Sequence, residues 1–145
     1  MERDLIKFLT GSNHIEGEGP PDAQEIMTAR LFLDGPYLQN LEDYVMATSG
    51  KELRRRSGMN VRVGNYIAPK GGPRIYHLAK EIVDFGKKNR DPEMAYRNHV
   101  AFEKLHPFMD GNGRSGRLLW YYQMNEHAPL GFLQHWYYQT LRFSS

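Results

Sequence analysis

Hydrophobic residues along the chain recur at every third or fourth position, the period that places them on one face of an α-helix. Such spacing occurs within 75–83 and 92–105, after Pro36 and after Gly113, and again from Leu130 to Leu141. In the first of these segments the apolar positions are Ile75, Leu78, Ala79, Ile82 and Val83. The pattern predicts a mostly α-helical fold.

Two of the predicted helices have recognisable first turns. Asp22 and Glu25 have the spacing of a capping box, in which each side chain bonds to the backbone N–H of the other residue. Asp91 precedes Pro92, and proline is favoured at the first position of a helix. These residues predict helices that begin directly after Asp22 and Asp91.

The segment 59–73 breaks the helical pattern. Its β-prone residues are Val61, Val63, Tyr66 and Ile67. Gly64-Asn65 lies between the two pairs, and such a dipeptide is typical of the tight turn of a β-hairpin. The sequence therefore predicts one small β-hairpin within a mostly α-helical domain.

Composition narrows the class of protein to a soluble globular domain. The chain has 145 residues, of which 40% are hydrophobic and 25% are charged, and this length suits one domain with its own core. The chain has no cysteine, which excludes disulfides and thiolate metal sites and suits a reducing compartment. We expect a single domain over residues 1–145, located in the cytoplasm.

The distribution of charge argues against two classes of partner. The first seven residues, MERDLIK, include four charged side chains, unlike a signal peptide, and no apolar run is long enough to span a bilayer. A net charge of +2 is too small to indicate binding of a nucleic acid polymer. The basic segment 51–56 is interpreted as the exposed face of a helix, with a partner-docking patch as the alternative.

Chemically reactive residues are most concentrated in the segment His106–Arg117, HPFMDGNGRSGR. Gly111-Asn112-Gly113 allows successive N–H groups to converge on an anion, and the following helix adds the positive end of its dipole. Arg114 and Arg117, three residues apart on that helix, would face the same phosphates. The segment therefore predicts a phosphate-binding loop.

His106 and Asp110 indicate which reaction this loop supports. The Mg²⁺ that accompanies a nucleotide is commonly held by one or two carboxylates together with the phosphates, a role that suits Asp110. The pKa of histidine lies near physiological pH, so His106 can take a proton from an attacking hydroxyl. Phe108 is expected to anchor the loop in the core. Together these residues indicate transfer of part of a Mg-nucleotide to an alcohol.

Two other motifs overlap this segment and are rejected. Gly111-x-Gly113-x-x-Gly116 has the spacing of a dinucleotide-binding loop, but such a loop follows a strand, whereas a predicted helix precedes it here. Glu103-x-x-His106 has the spacing of a di-iron ligand pair, but the chain has no second Glu-x-x-His. Neither a Rossmann fold nor a di-iron site is expected.

The whole segment resembles the signature of the Fic family, H-P-F-x-[DE]-G-N-G-R-x-x-R, with no departure at any defined position. The helical order and the preceding hairpin are also similar to the family over most of the chain. The resemblance implies a Fic-like helical bundle that transfers AMP from ATP to a Tyr, Ser or Thr hydroxyl of a target protein. Relatives that phosphorylate instead have lysine at the position of Gly113, so the glycine favours AMP transfer.

The resemblance also implies roles for individual residues. His106 would be the general base, and Asp110 would be the ligand of the Mg²⁺ cofactor. The residues that would bind the ATP co-substrate are Gly111, Asn112, Gly113, Arg114 and Arg117. Within this set the glycines would form the phosphate nest, and the two arginines would grip the distal phosphates.

The segment Ser12–Gly17, SNHIEG, resembles the inhibitory motif [ST]-x-x-x-E-[GN], which lies near the N-terminus in one class of the family. Its defined positions are Ser12, Glu16 and Gly17. In such proteins the glutamate pairs with the second signature arginine, here Arg117, and misplaces the γ-phosphate. Residues 1–19 are therefore expected to form an inhibitory helix region. In some relatives the glutamate of this motif instead positions water for the removal of AMP.

The hairpin segment 59–73 resembles the flap of the family, which holds the modifiable segment of a target protein by strand pairing. The residues expected to dock the target are Val61, Val63, Tyr66 and Ile67, and a plain structural hairpin is the alternative. Three functions remain open: an autoinhibited AMP transferase, a de-AMPylating hydrolase that uses Glu16, and a nucleotide-binding module without turnover. The expected partners are ATP and a target protein, without a membrane.

Overall fold

The computed structural model describes residues 2–124. The elements of this part of the chain are α1 (Glu2–Ile15), α2 (Ala23–Asp34), α3 (Leu38–Thr48), β1 (Arg62–Val63), β2 (Tyr66–Ile67), α4 (Pro73–Lys88), α5 (Pro92–Leu105) and α6 (Asn112–Met124). The prediction of a mostly α-helical fold with one small hairpin is confirmed. The helix predicted from Leu130 to Leu141 lies outside the described residues.

The predicted helix starts are confirmed at atomic level. The Asp22 carboxylate accepts the Glu25 N–H at 2.8 Å, and the Glu25 carboxylate accepts the Asp22 N–H at 2.9 Å, which completes the capping box of α2. Asp91 caps α5 by accepting the N–H of Met94 at 3.0 Å, with Pro92 in the first turn. Each cap satisfies N–H groups that have no partner within the helix.

Helix α6 runs through the middle of the bundle and contacts α1, α3, α4 and α5. Leu118, Leu119 and Trp120 are buried there, in a single apolar cluster to which the helices contribute. Phe8 stacks on Tyr121 with ring centroids 4.3 Å apart, which joins α1 to α6. Burial of such an aromatic side chain contributes about 1.5–3 kcal/mol, so α1 is firmly docked.

The hairpin projects from this body. Its two strands are antiparallel, and Arg62 pairs with Ile67 while Val63 pairs with Tyr66. The apolar side chains of Val63 and Ile67 are exposed, so the hairpin does not bury them against the core. A two-stranded hairpin is marginal by itself in water, and its position therefore depends on the contacts that tie it to the helices.

The interpretation of segment 51–56 as an exposed helix face is wrong. The segment is not helical, and Leu53 forms an antiparallel bridge with Phe108, so that both side chains are buried. Arg54 is fully buried, whereas the exposed Arg56 pairs with Glu52. The segment runs extended along the loop that follows α5, and this tertiary pairing overrides the helical appearance of its sequence.

Candidate active site

His106 lies where α5 ends and the loop to α6 begins. It is the C-cap of α5, and its backbone is left-handed, with φ of 51°. This conformation costs a residue with a Cβ roughly 1–2 kcal/mol, so the surrounding contacts must hold it in place. The turn directs the chain away from the helix axis and into the loop 106–111.

Asn112, the first residue of α6, closes this loop with its side-chain amide. Its Oδ1 accepts the N–H of Phe108 and its Nδ2 donates to the carbonyl of Phe108, both at 2.8 Å. Phe108 is fully buried, as predicted. Because the Asn112 amide serves the loop, only the backbone N–H of Asn112 can take part in the expected phosphate nest.

Gly111 forms the turn in front of α6. Its φ is 84°, and a Cβ there would lie 2.8 Å from Oγ of Ser49, so both conformation and space require glycine. The Gly111 N–H donates to Oδ1 of Asp110 at 2.8 Å. The loop thereby brings the Asp110 carboxylate, which is exposed, next to the N-terminus of α6.

A cleft of about 560 Å³ lies beside the loop. It is lined by His106 and residues 109–114 of the loop and α6, by Ile15 and Glu16 at the end of α1, and by 61–63 of the hairpin. The structure thus brings three separately predicted segments together around one space. A cleft of this size suits a ligand such as a nucleotide.

The environment of His106 favours the neutral imidazole. Burial lowers its pKa, and the Arg54 guanidinium lowers it further, whereas a hydrogen bond with the Glu103 backbone and the Asp110 carboxylate raise it. The net direction is downward. A neutral imidazole at physiological pH is the form that can accept a proton from a hydroxyl.

The two signature arginines have different surroundings. Arg114 lines the cleft, with Nη1 3.9 Å from Oε1 of Glu25. Arg117 is fully buried and is not among the residues that line the cleft. The two side chains were expected to face one space, but of the two only Arg114 lines this cleft.

Arg117 is held by α1 and the residue that follows it. Its Nη2 donates to Oε2 of Glu16 at 2.7 Å and to the carbonyl of Ser12 at 3.0 Å, and its Nε donates to Oγ of Ser12 at 2.7 Å. Gly17 follows with φ of 75°, which turns the chain away at the end of the helix. The structure thus contains the expected contact between Glu16 and Arg117, and adds Ser12 to it.

Glu103 is a site residue that the sequence did not single out. Its side chain is 9% exposed and lines the cleft, and burial raises the pKa of its carboxyl to about 8 despite the opposing effect of Arg117. Nε2 of His99 lies 3.9 Å from Oε1 of Glu103, but burial lowers the pKa of His99 to about 4. Both groups are therefore uncharged near neutral pH, and their contact is not an ion pair. The only signal in the sequence was the Glu103-x-x-His106 spacing.

Asp110 is the residue suited to a Mg²⁺ ion here. Across residues 4–124 no group of three or more His, Asp or Glu side chains could hold a metal ion by itself. A single exposed carboxylate beside the N-terminus of α6 fits a Mg²⁺ ion whose other ligands would be phosphates and water. The described residues also contain no helix that is long and apolar enough to cross a membrane.

Comparison with known proteins identifies the family. The sequence matches the family model of the Fic/DOC family over residues 32–124, more than half of the chain. The chain belongs to the Fic/DOC family. A Fic family protein from Desulfovibrio desulfuricans G20, known from a crystal structure, has a similar fold, with a TM-score of 0.57 and 20% sequence identity.

This likeness concerns the fold alone. It covers 89% of this Fic chain but 50% of the Desulfovibrio protein, so the chain spans about half the length of that protein. No functionally curated protein matches the sequence. The fold of the Fic domain is therefore shown, and the activity must be inferred from the cleft itself.

Proposed function

We propose that this Fic domain transfers AMP from ATP to a Tyr, Ser or Thr hydroxyl of a target protein, and that Glu16 restrains the reaction. The observation that carries the proposal is the cleft in which His106, Asp110 and the N-terminus of α6 face the same space. A base, a carboxylate for Mg²⁺ and an anion-binding helix end are the parts that nucleotidyl transfer requires.

The phosphates of ATP would lie at the N-terminus of α6. The backbone N–H groups of Asn112 and Gly113 and the helix dipole favour negative charge there, whereas the Gly111 N–H already donates to Asp110. Arg114 adds a cation at the rim of the cleft. Arg117 would grip the distal phosphates once Glu16 releases it. With Gly113 in place of a lysine, the α-phosphate is the group expected at the reacting position.

His106 would act as the general base. Its neutral imidazole accepts the proton of the target hydroxyl, whose oxygen forms a bond to the α-phosphorus as the bond to the β-phosphate oxygen breaks. AMP is then attached to the target, and pyrophosphate leaves. Mg²⁺ bound at Asp110 would supply positive charge to the phosphates during this transfer.

The hairpin would dock the target. Its edge is close to the cleft, since Val61 and Val63 line the cleft and the apolar side chains of Val63 and Ile67 are exposed. Tyr66 instead donates its hydroxyl to the carbonyl of Lys104, so its contribution is to hold the hairpin. An extended segment of the target can pair with such an edge and bring its hydroxyl towards His106.

Glu16 would inhibit by competing with ATP. The carboxylate accepts a hydrogen bond from Nη2 of Arg117 at 2.7 Å, and a γ-phosphate would need the same donor.

We also infer that residues 1–31 belong with the matched segment in one Fic domain over 1–145, because α1 contacts both α2 and α6. A cytoplasmic location suits a cysteine-free chain whose co-substrate is ATP.

A hydrolase that removes AMP is the second candidate. It is favoured by the position of Glu16, which lines the cleft and has a side chain that is 39% exposed. That carboxylate can therefore reach a water molecule as well as Arg117. In this reading Glu16 is required for activity, whereas in the first it suppresses activity.

The two readings are separated by ATP labelled on the α-phosphate. Label should enter protein with Glu16→Gly and should fall by ~10²–10⁴-fold in Glu16→Gly/His106→Ala, while ATP binding persists. Glu18→Gly is the matched control, because Glu18 is exposed and lies two residues away. Release of AMP from a modified target that depends on Glu16 would establish the hydrolase, and ATP binding without any transfer or release would leave only a binding module.

A further inference from the structure

The C-terminal end of α5 is held by two side chains from outside the helix. The last carbonyls of a helix have no partner within it. Here the carbonyl of Lys104 accepts the Tyr66 hydroxyl at 2.5 Å, that of Leu105 accepts Nη2 of Arg54 at 2.8 Å, and that of His106 accepts Nε of Arg54 at 2.7 Å. Three successive carbonyls at the base of the candidate active site are thus satisfied from the hairpin and from the segment before it.

The same guanidinium also joins the two stems of the hairpin. Nη1 of Arg54 donates to the carbonyl of Met59 at 3.0 Å and to that of Pro69 at 2.7 Å. The stems approach closely, since a Cβ at Gly71 would lie 2.4 Å from the carbonyl oxygen of Met59. Arg54 therefore lies between the base of the hairpin and the end of α5.

The main chain strengthens this connection. The Arg54 N–H donates to the carbonyl of Pro107 at 2.9 Å, and the Met109 N–H donates to the carbonyl of Glu52 at 3.0 Å. Residue 54 is thereby bound to the loop 106–111 by its backbone as well as by its side chain. This contact supplies an anchor for the left-handed backbone of His106, whose own carbonyl accepts a hydrogen bond from Arg54.

We propose that Arg54 is a positioning residue that joins the flap, residues 59–73, to His106, so that the flap and the imidazole are placed as one unit. The inference rests on the proposed function, which gives the flap its role in docking a target. A target strand seated on the flap would then lie at a fixed distance from the proton acceptor. Near-attack geometry of this kind is sensitive, because a shift of about 1 Å can reduce the rate ~10²-fold.

Arg54 also contributes its charge to His106. The guanidinium lowers the pKa of the imidazole, beside the larger effect of burial. The other charged or titratable groups around the cleft are Glu16, Arg62, Glu103, Asp110 and Arg114. Substitution of Arg54 by a neutral residue should therefore raise the pKa of His106. Exposure of the imidazole would raise the pKa as well, so the effect of the charge is isolated by comparison with Arg54→Lys, which keeps the charge.

The test compares Arg54→Gln and Arg54→Lys with Arg56→Gln, all in the Glu16→Gly background. Arg56 is the matched control because it is an exposed arginine two residues away that pairs only with Glu52 in this segment. We expect Arg54→Gln to lower the rate of transfer ~10²-fold with little change in ATP affinity, and to move the acidic limb of the pH–rate profile upward. Arg54→Lys keeps the charge but lacks the fork, so it should lower the rate without moving that limb.

An NMR titration of His106 makes the outcome independent of activity. A pKa that rises in Arg54→Gln but in neither Arg54→Lys nor Arg56→Gln supports the proposal even when no transfer is detected, in which case the proposed function alone fails. An unchanged imidazole pKa and an unchanged rate, measured well below the unfolding temperature, would overturn it. If neither Arg54 variant folds, Tyr66→Phe removes a surface bond to the same helix end, and a turnover equal to that of the Glu16→Gly parent would then overturn the coupling.

Discussion

Removal of the Glu16 carboxylate should make the protein bind ATP more tightly and fold less stably. Arg117 is buried, and its bond to Glu16 is short and charge-assisted, at 2.7 Å. Hydrogen bonds to charged groups contribute about 1.5–3 kcal/mol when buried. The side chain of Glu16 is 39% exposed, and screening by water reduces this to about 1–2 kcal/mol.

Under the proposed function the same free energy would oppose ATP, because the γ-phosphate and the carboxylate would compete for one guanidinium. A difference of about 1–2 kcal/mol corresponds to a Kd that is roughly 5–30-fold lower for Glu16→Gly than for the wild type. The two bonds from Arg117 to Ser12 remain in this variant, so full release is not expected. Glu16→Gln, which keeps a neutral acceptor, should fall between the wild type and Glu16→Gly.

Isothermal titration with Mg-ATP measures the Kd, and urea unfolding of the ligand-free protein measures the stability. Glu18→Gly and Glu18→Gln control for the change in composition at an exposed position. Tighter binding together with a free energy of unfolding lowered by about 1–2 kcal/mol would support the competition. Equal ATP affinity in all five proteins would refute it, whatever their stability.

Three further predictions concern other parts of the cleft. Asp110→Asn keeps the acceptor for the Gly111 N–H but removes the charge, so transfer should require more Mg²⁺, as a metal titration of activity would show. Val63→Pro should impair transfer to an external protein while ATP binding survives, because proline removes an N–H from the hairpin; unaffected target labelling would exclude docking there. The wild type should lose stability as the pH rises from about 4.5 to 8, because the Glu103 carboxyl has a pKa of about 8 in the folded protein and keeps a proton that the unfolded chain releases. Glu103→Gln should abolish this pH dependence. Urea unfolding across this range tests the last of these, and identical pH dependence in the two proteins would contradict it.

Much of the fold could be predicted from signals between residues that are close together in the sequence. The capping box at Asp22 and the Asp91-Pro92 pair marked helix starts because these contacts involve residues only three positions apart. The contact between Glu16 and Arg117 spans 101 positions and has no local signal. It was anticipated only from the resemblance to a family, and its regulatory role stays a prediction.

The burial of Arg54 could not be predicted from the residues next to it in the sequence. Arg54, Arg55 and Arg56 are consecutive, and composition gives no basis for choosing one of them as buried. The choice is made by the bridge between Leu53 and Phe108, which turns the next side chain under the hairpin. Such tertiary pairing overrides a helix-like sequence.

Glu103 was missed for a related reason. Its carboxyl is buried because Gly116 of α6 allows α5 to approach closely: a Cβ there would lie 2.7 Å from Oε1 of Glu103. The sequence presented Gly116 only as part of a dinucleotide-like spacing. The packing function of a glycine becomes visible only when the neighbouring helix is in place.

The docking of α1 limits how the restraint on Arg117 can be lifted. Leu5, Phe8 and Leu9 are buried on the same helix that carries Ser12, and exposing all three would cost roughly 5–9 kcal/mol. A free-energy gap of that size keeps the population of molecules with a detached α1 below about one in 10³. Detachment of the whole helix is therefore rare. Under the proposed function, release of Arg117 has to act locally, by a change of the Glu16 rotamer or by a ligand that replaces its carboxylate, while the helix itself stays in the core.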